Sequence, residues 1–319
     1  MKKILALLLA VIIVCAAFTA CGTPSDETIN GDYTDNGVTE VPNEDMEDNS
    51  SVDDDTKRFT KKQAVILMGQ SNMAGRGHAD IVEAIYDERI YMLHDDEVII
   101  MKEPIHQDKK AAGVGLAASF AKAFVETFDQ EILLVPCAYG GTSLSQWQKN
   151  STDLFTNYYG NNKNYQLYQN AVDSAKSVIA DGYEICAILW HQGESNSSKS
   201  DYAETLAVIF DDFMSDVGLD PNEVVIVTGE IGHWRSTRVV NDTLPSLKNY
   251  YSKYGVATAQ GLINNATTHS NDDTAHFDAP GLRVLGYRYF EQFYEALTGK
   301  DCSYTYSNNS DYYRISPTA

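Results

Sequence analysis

Positively charged residues are scarce in this chain of 319 residues. It contains 24 Lys and Arg against 45 Asp and Glu, which gives a formal net charge of −21 at pH 7. Nucleic-acid-binding proteins need a basic surface that displaces counterions from phosphates, and polybasic membrane-surface binders need clustered Lys and Arg. The composition therefore argues against both classes, and we expect no nucleic acid among the partners of this protein.

Cysteine is also sparse. Of the five cysteines, Cys15 and Cys21 fall within the first 21 residues, which leaves Cys137, Cys186 and Cys302. Three is an odd number, so this set cannot form a complete disulfide framework. We interpret Cys137 and Cys186 as small core residues, because each lies within or beside an apolar strand-like run.

The apolar run at the N-terminus is short for a membrane span. It covers fifteen residues, 4–18, whereas a spanning helix needs roughly 20. It follows Lys2 and Lys3 and ends in small residues before Cys21, as in a bacterial lipoprotein signal, although Phe18 stands where Leu is preferred. We expect residues 1–21 to be such a signal, with Cys21 lipidated; the alternative is a plain secretory signal. The protein would then be an exported cell-surface lipoprotein whose only membrane contact is its lipid anchor.

The segment at 22–56 is strongly acidic, with twelve Asp and Glu and no Lys or Arg. Its few apolar residues show no periodicity, so it cannot bury enough surface to offset the entropy of ordering. We predict a disordered tether over 22–57 that holds the remainder off the membrane. A calcium-binding loop is the alternative, but the segment lacks the Asp-x-Asp-x-Asp-Gly spacing with a final Glu.

The rest of the chain alternates apolar strands with amphipathic helices. The predicted strands lie at 63–68, 131–136, 184–190, 224–228 and 256–259, and the predicted helices at 111–128, 164–180, 201–217, 244–254 and 280–297. This alternation predicts an α/β domain over 58–299, with a parallel central sheet covered by helices on both faces. The polar, Tyr-rich tail at 300–319 has no assignment.

Polar residues follow three of these strands, and ligands of such sheets bind beyond the carboxyl ends of the strands. After the first strand, Ser71 lies on a turn that begins at Gly69. A Ser in this position can act as a nucleophile, with its own N–H directed at a developing oxyanion. The alternative is a Ser that caps the next helix.

The two later turns carry candidate hydrogen-bond donors. After the second strand, Gly140 and Gly141 allow backbone N–H groups to approach a ligand, although an ordinary Gly-rich turn is the alternative. After the third strand, the amide of Gln192 could donate to an oxyanion. His191 and Glu194 flank it, but two possible ligands are weak evidence for a metal, and we predict none.

His276, near the C-terminus, is a candidate general base because imidazole titrates near neutral pH. Asp273, three residues earlier, could accept the other ring N–H and fix the tautomer. Asp272 competes for that role, and a plain surface turn is the alternative for the whole segment. All the candidate groups fall at the same predicted sheet edge, which strengthens the case for a common site.

Together these motifs resemble the SGNH hydrolase superfamily, and within it the sialate O-acetylesterase-like branch that includes carbohydrate esterase family six acetylxylan esterases. The resemblance runs over roughly residues 65–290. It rests on four motifs: Gly69-Gln70-Ser71-Asn72-Met73, Gly140-Gly141-Thr142-Ser143, His191-Gln192-Gly193-Glu194-Ser195 and Asp273-x-x-His276-Phe277.

The resemblance implies a three-layer α/β/α, flavodoxin-like sandwich without a metal or cofactor. It also implies a role for each motif residue. The roles are Ser71 as nucleophile and first oxyanion donor, Gly140 in preference to Gly141 as second donor, Gln192 as third donor, His276 as base, Asp273 rather than Asp272 as its partner, Glu194 as the residue that orients the oxyanion loop, and Gln70 and Asn72 as supporting residues.

The function implied by the resemblance is a serine esterase that removes O-acetyl groups from carbohydrates of the acetylxylan or sialate type. An acetylated carbohydrate is then the expected partner, and aromatic side chains could stack on its rings; the candidates are Trp147, Trp234, Tyr158 and Tyr159. Two alternatives stay open: a catalytically inactive carbohydrate-binding surface lipoprotein, and a general short-chain lipase or thioesterase on the same fold.

Overall fold

A twisted sheet of seven strands forms the centre of the structure, a computed structural model that describes residues 55–156, 164–269 and 273–306. The strands in chain order are β1 (Gln63–Gly69), β2 (Ile90–His94), β3 (Glu97–Ile100), β4 (Ile132–Pro136), β5 (Phe155–Thr156), β6 (Asn164–Tyr165), β7 (Glu184–His191), β8 (Val225–Gly229) and β9 (Tyr254–Ala257). β5 and β6 form a separate two-stranded ribbon, and the other seven make the central sheet.

Eight α-helices accompany the strands within the described residues. They are α1 (Ser71–Ala74), α2 (Ala117–Phe128), α3 (Leu144–Trp147), α4 (Leu167–Ala180), α5 (Tyr202–Val217), α6 (Val239–Thr243), α7 (Asn265–Thr268) and α8 (Ala279–Thr298). Three short 3-10 helices lie at Asp55–Lys57, Glu194–Asn196 and Leu244–Asn249.

The strand order in the central sheet is β3-β2-β4-β1-β7-β8-β9. All neighbours are parallel except β2 and β3, which pair antiparallel at one edge. The α/β class predicted from the sequence is confirmed, but the prediction of a wholly parallel sheet missed this edge hairpin. β3 is a partly exposed edge strand, with Val98 and Ile100 at 37% and 43% exposure, although its sequence is an apolar run, Val98-Ile99-Ile100.

Both faces of the central sheet are buried, and successive side chains of each strand point to opposite faces. In β1, Val65 and Leu67 pack into a core with α2 and α8. Ala64, Ile66 and Met68 point to the opposite face and pack with α4 and α5. The result is the three-layer α/β/α arrangement that the resemblance implies.

Two helix predictions differ from the structure. The helix predicted at 111–128 begins only at Ala117, because Gly113 and Val114 instead hydrogen-bond to Gly75 and Gly77 beyond the first turn. The helix predicted at 244–254 is the 3-10 helix Leu244–Asn249, and β9 then begins at Tyr254. In both places tertiary contacts override helical periodicity.

The last helix begins as its sequence indicates. The carboxylate of Asp278 accepts the N–H of Gly281 at 2.8 Å, and Pro280 occupies the first turn, where its missing N–H costs nothing. This cap fixes where the segment carrying Asp273 and His276 joins α8.

The first residues of the C-terminal tail pack against the last helix. Tyr304 and Tyr306, from the unassigned tail, stack on Tyr287 of α8 with ring centroids 5.7 and 5.2 Å apart. The predicted signal at 1–21 with Cys21, the tether up to residue 54, Asp272, Tyr158 and Tyr159 lie outside the described residues. None of the helices in the described part of the chain has the length and apolar character that a bilayer crossing requires.

The turn at Gly69 should tolerate no larger side chain. Its φ is +131°, and a Cβ there would overlap the backbone of His191. Gly182 has a comparable positive φ of +89°, but a Cβ there would meet nothing within 4 Å. We expect Gly69→Ala to lower the free energy of unfolding by about 3 kcal/mol or more, because steric overlap adds to backbone strain.

Gly182→Ala is the matched control and should lower it by only about 1 kcal/mol, the cost of the left-handed backbone itself. Urea denaturation followed by tryptophan fluorescence measures both changes. Equal losses in the two variants would mean that the close approach at Gly69 is not what constrains the turn.

Candidate active site

Ser71 sits at the carboxyl end of the central strand β1. The Gln70 N–H donates to the His191 carbonyl oxygen at 2.9 Å, and Ser71 then starts the short helix α1. The capping interpretation of Ser71 is wrong, since Gln70 occupies the N-cap position and Ser71 is the first helical residue. The turn brings Ser71 to the sheet edge with 5% of its surface exposed.

The side chains of Ser71, His276 and Asp273 form a chain of hydrogen-bond contacts there. His276 Nε2 lies 2.9 Å from Ser71 Oγ. His276 Nδ1 lies 2.9 and 3.0 Å from the two carboxylate oxygens of Asp273. The loop between α7 and α8 supplies both His276 and Asp273, so the structure unites residues about 200 positions apart in sequence.

The environment of Asp273 favours the ionised carboxylate. Burial opposes ionisation, but hydrogen bonds from Asn265 and His276, the charge of His276 and the Ala275 N–H outweigh it and lower the pKa of Asp273. A carboxylate beside Nδ1 holds the proton on that nitrogen. Nε2 is then free to accept a proton from Ser71, which is the arrangement a general base needs.

Asn265, at the start of α7, is a site residue that the sequence did not reveal. Its side-chain amide donates to Asp273 Oδ2 and to the Arg76 carbonyl oxygen, both at 2.9 Å. Its backbone N–H donates to the His276 carbonyl oxygen at 3.0 Å. This fully buried side chain therefore links the segment after Ser71 to the segment that carries Asp273 and His276. No motif or spacing around Asn265 points to this role.

Asn72 also links the segment after Ser71 to the segment that carries His276. Its amide donates to Glu194 Oε1, and its oxygen accepts the Phe277 N–H at 3.2 Å. Burial opposes the ionisation of Glu194, but His191, 3.7 Å from Oε1, and the Asn72 amide lower its pKa. The buried His191 ring is held in turn by the Tyr289 hydroxyl, 2.9 Å from Nδ1.

Gln192 is placed differently from its predicted role. Its Nε2 has three acceptors: Gln70 Oε1 and Asn196 Oδ1 at 2.9 Å, and the Thr142 carbonyl oxygen at 3.1 Å. Its Oε1 accepts the Tyr202 hydroxyl at 2.7 Å. An amide has only two N–H bonds, so none remains for an oxyanion in this conformation. Gln192 instead joins the three turns that surround Ser71.

Gly140 is also engaged elsewhere. Its N–H donates to Asp108 Oδ2 at 2.8 Å, and the same oxygen pairs with Arg76 Nη2 at 2.6 Å. The preference for Gly140 as oxyanion donor is therefore contradicted by this geometry. Gly141 is exposed with φ +81°, and among the described residues neither its N–H nor that of Ser71 has an acceptor. The structure thus favours Gly141 over Gly140.

A polar cleft of about 300 Å³ lies beside Asp273. Its lining residues are Ser197, Trp234, Arg235, Ser236, Thr237 and Thr274. Trp234 donates its indole N–H to the Thr274 carbonyl oxygen at 2.8 Å and packs edge-on against Phe277. Trp147, in contrast, is fully buried against Trp190, so the prediction that it stacks on a sugar is wrong.

Comparison with known proteins identifies the family. The family model described as "Carbohydrate esterase, sialic acid-specific acetylesterase" matches residues 61–295. The chain belongs to this family. The resemblance inferred from the motifs is thereby confirmed.

One curated relative and two solved structures illustrate what the chain is similar to. A probable carbohydrate esterase of Arabidopsis thaliana is 32% identical over 163 residues, which are 42% of this chain and 54% of the relative. The match thus spans about half of that curated protein. A solved Arabidopsis thaliana structure superposes with TM-score 0.60 at 24% identity, over 76% of this chain and all of that one. NanS superposes with TM-score 0.54 at 17% identity, over 75% of this chain and 98% of that one. Both structures share the α/β fold.

Replacing Asn265 should impair ester hydrolysis without impairing substrate binding. In Asn265→Ala, Asp273 loses a donor and the link to Arg76 disappears, so the base is less well held. We expect kcat to fall about tenfold with KM nearly unchanged, because misplacing a proton-transfer group acts on the transition state. Steady-state kinetics on p-nitrophenyl acetate measure both constants.

The neighbouring Asn264 provides a matched control. Its side chain accepts only an exposed hydrogen bond from Thr267, so Asn264→Ala should retain the wild-type kcat. A wild-type kcat in Asn265→Ala would contradict the positioning role.

Proposed function

We propose that the protein is a carbohydrate O-acetylesterase in which Ser71, His276 and Asp273 form the catalytic triad. The observation that carries the proposal is the 2.9 Å contact between Ser71 Oγ and His276 Nε2, with the Asp273 carboxylate behind the ring. Membership of a carbohydrate esterase family supports the same activity.

The geometry accommodates a double displacement. His276 accepts the Ser71 proton as Oγ attacks the acetyl carbonyl carbon, and the N–H groups of Ser71 and Gly141 stabilise the resulting oxyanion. Each such donor contributes on the order of 3 kcal/mol to lowering the barrier. His276 then gives its proton to the departing sugar oxygen. Finally, His276 activates a water that hydrolyses the acetyl-enzyme and regenerates Ser71.

Two observations count against the other functions. A protein that only binds carbohydrate has no need for a Ser, His and Asp in hydrogen-bond contact. A lipase or thioesterase would hold its acyl chain in an apolar pocket, whereas the cleft beside Asp273 is lined mostly by hydroxyl groups and Arg235. The cleft suits a sugar, and Trp234 offers an aromatic surface within it.

Arg235 favours an acidic sugar, as in the sialate type, over neutral acetylxylan. Its Nη2 donates only to the Glu194 carbonyl oxygen at 3.4 Å, and its buried Nε has no partner. Among residues 55–156, 164–269 and 273–306, no carboxylate forms an ion pair with Arg235. A guanidinium in a cleft binds carboxylates well, because its donors match the two oxygens.

The location of the enzyme is part of the proposal. Lipidation at Cys21 and an acidic tether would hold the esterase at the outer surface of the cell, where acetylated polysaccharides and glycans are reached without import. Labelling with a radioactive fatty acid, with and without Cys21→Ala, tests the anchor: label in the wild type that the variant loses supports it, and label retained in the variant contradicts it.

Removing the Ser71 hydroxyl should abolish turnover. We expect Ser71→Ala to lower kcat/KM for p-nitrophenyl acetate by at least about a thousandfold, since the acetyl-enzyme can no longer form. Acetate release from acetylated sialic acid and acetylated xylan should fall in parallel, with an unchanged circular dichroism spectrum.

Ser145, an exposed serine in α3, supplies the control, and Ser145→Ala should keep full activity. Substantial turnover by Ser71→Ala would refute the assignment of the nucleophile.

Neutralising Arg235 tests the substrate type. We expect Arg235→Gln to raise KM for O-acetylated sialic acid about tenfold or more, because the variant loses the charged hydrogen bond to the carboxylate of the sugar. KM for neutral acetylated xylo-oligosaccharides and for p-nitrophenyl acetate should change little. Arg288→Gln, which removes a guanidinium bound to Thr258 and Gln260 carbonyl oxygens, is the control. Equal changes on acidic and neutral substrates would contradict a carboxylate-binding role.

A further inference from the structure

A cluster of potential metal ligands lies outside the proposed triad. His78, Asp80 and His269 each bring one ligand atom to a common point, and these atoms all lie within 4.8 Å of one another. His78 follows the Gly77 bridge to Val114, and His269 directly follows α7. His78 and Asp80 are two residues apart, and only the fold brings His269 to them, so no sequence motif predicts the cluster.

The two imidazoles face each other. Their ring centroids are 3.9 Å apart and the rings are inclined by only 14°. Two rings this close are not both protonated without strong repulsion.

Two imidazole nitrogens and one carboxylate oxygen match the donors of three-ligand zinc sites. With metal–ligand distances of about 2.0–2.1 Å, tetrahedral ligand atoms lie roughly 3.3 Å apart. The present separations therefore need to close by about an ångström and a half at most. Asp80 is exposed, so rotation of its side chain can shorten its own separations, and small ring rotations of His78 and His269 shorten the third.

We propose that His78, Asp80 and His269 form a binding site for a divalent transition metal, Zn²⁺ above all, at the rim of the active site. A bound cation leaves the fourth position of the tetrahedron to water. The exposed pair His233 and Glu230 is a poorer candidate, because it offers two ligands and its carboxylate already accepts the Thr258 hydroxyl and the Ala259 N–H.

The site lies within electrostatic reach of the proposed triad. His269 directly follows α7, whose first residue, Asn265, donates to Asp273 Oδ2 at 2.9 Å, so a dication held by His269 and His78 acts on the Asp273 carboxylate. Asp273 stabilises the imidazolium that forms on His276 during the reaction, and a nearby dication weakens that stabilisation. Zn²⁺ should therefore inhibit the esterase reversibly. This second part rests on the proposed function, whereas metal binding does not.

Binding is measured on the full chain after removal of metal by chelation and dialysis. Zn²⁺ is titrated by calorimetry, and Co²⁺ by its visible d–d absorption, both with the wild type and with Ser71→Ala. We expect one equivalent of metal in both proteins. His78→Ala and His269→Ala should lose this site. Asp80→Asn should bind the metal at least about tenfold more weakly, because it lacks one of the three charged or imidazole ligands.

His233→Ala is the control and should bind like the wild type. Because Asp80 is exposed, Asp80→Asn keeps the test valid if a histidine variant fails to fold. Absence of stoichiometric binding, or binding unaffected by all three ligand variants, overturns the site.

Inhibition is measured separately. Zn²⁺ should reduce p-nitrophenyl acetate hydrolysis by the wild type and by His233→Ala. His78→Ala and His269→Ala should have wild-type activity without metal and be insensitive to Zn²⁺ over the same range. Binding without inhibition overturns the coupling to the triad but supports the site. Loss of the proposed function would appear instead as activity in Ser71→Ala, whose metal binding is scored independently.

Discussion

The close approach of β1 and β7 at their carboxyl ends is the constraint on which the site depends. Gly69 packs directly against the His191 backbone, and the Gln70 N–H bonds to the His191 carbonyl oxygen. Only a residue without a Cβ permits this contact at φ +131°. It sets Ser71 and Asn72 over the turn that carries Gln192 and Glu194. Ser71, the proposed nucleophile, is therefore positioned by the buried centre of the sheet rather than by a surface loop.

Buried side-chain amides then fix the remaining segments relative to Ser71. Asn72 links to Glu194 and Phe277, Gln192 links to Gln70, Thr142 and Asn196, and Asn265 links to Asp273 and Arg76. An amide suits this purpose because it donates and accepts in fixed directions. A buried donor or acceptor left without its partner costs about 1–3 kcal/mol, so each link penalises displacement of the segments it joins.

Local signals made much of this predictable from the sequence. Continuous apolar runs marked β1, β4 and β7, and the residues that follow the first and the last of them include Ser71 and Glu194. His276 and Asp273 were predictable because a spacing of three fixes their relation. Gln192 and Gly140 were assigned less well, since their roles depend on Thr142 and Asp108, which no local pattern connects to them. Asn265 was missed for the same reason, whereas the β2–β3 hairpin does carry a local signal, two apolar runs joined by Asp95 and Asp96 at positive φ.

The engagement of Gly140 has a chemical consequence for its neighbour. Asp108 holds the Gly140 N–H and pairs with the buried Arg76, while Lys109 donates to the Gly140 carbonyl oxygen at 2.7 Å. The N–H and the carbonyl oxygen of Gly140 are thus both held in place before substrate binds. Donors that need no reorganisation stabilise a developing charge best. If Gly141 is the oxyanion donor, as proposed, the buried ion pair would act through the Gly140 backbone to hold the exposed Gly141 N–H in a set direction. In the proposed mechanism, Asp108, Arg76 and Lys109 would therefore act by making the loop rigid rather than by contact with substrate.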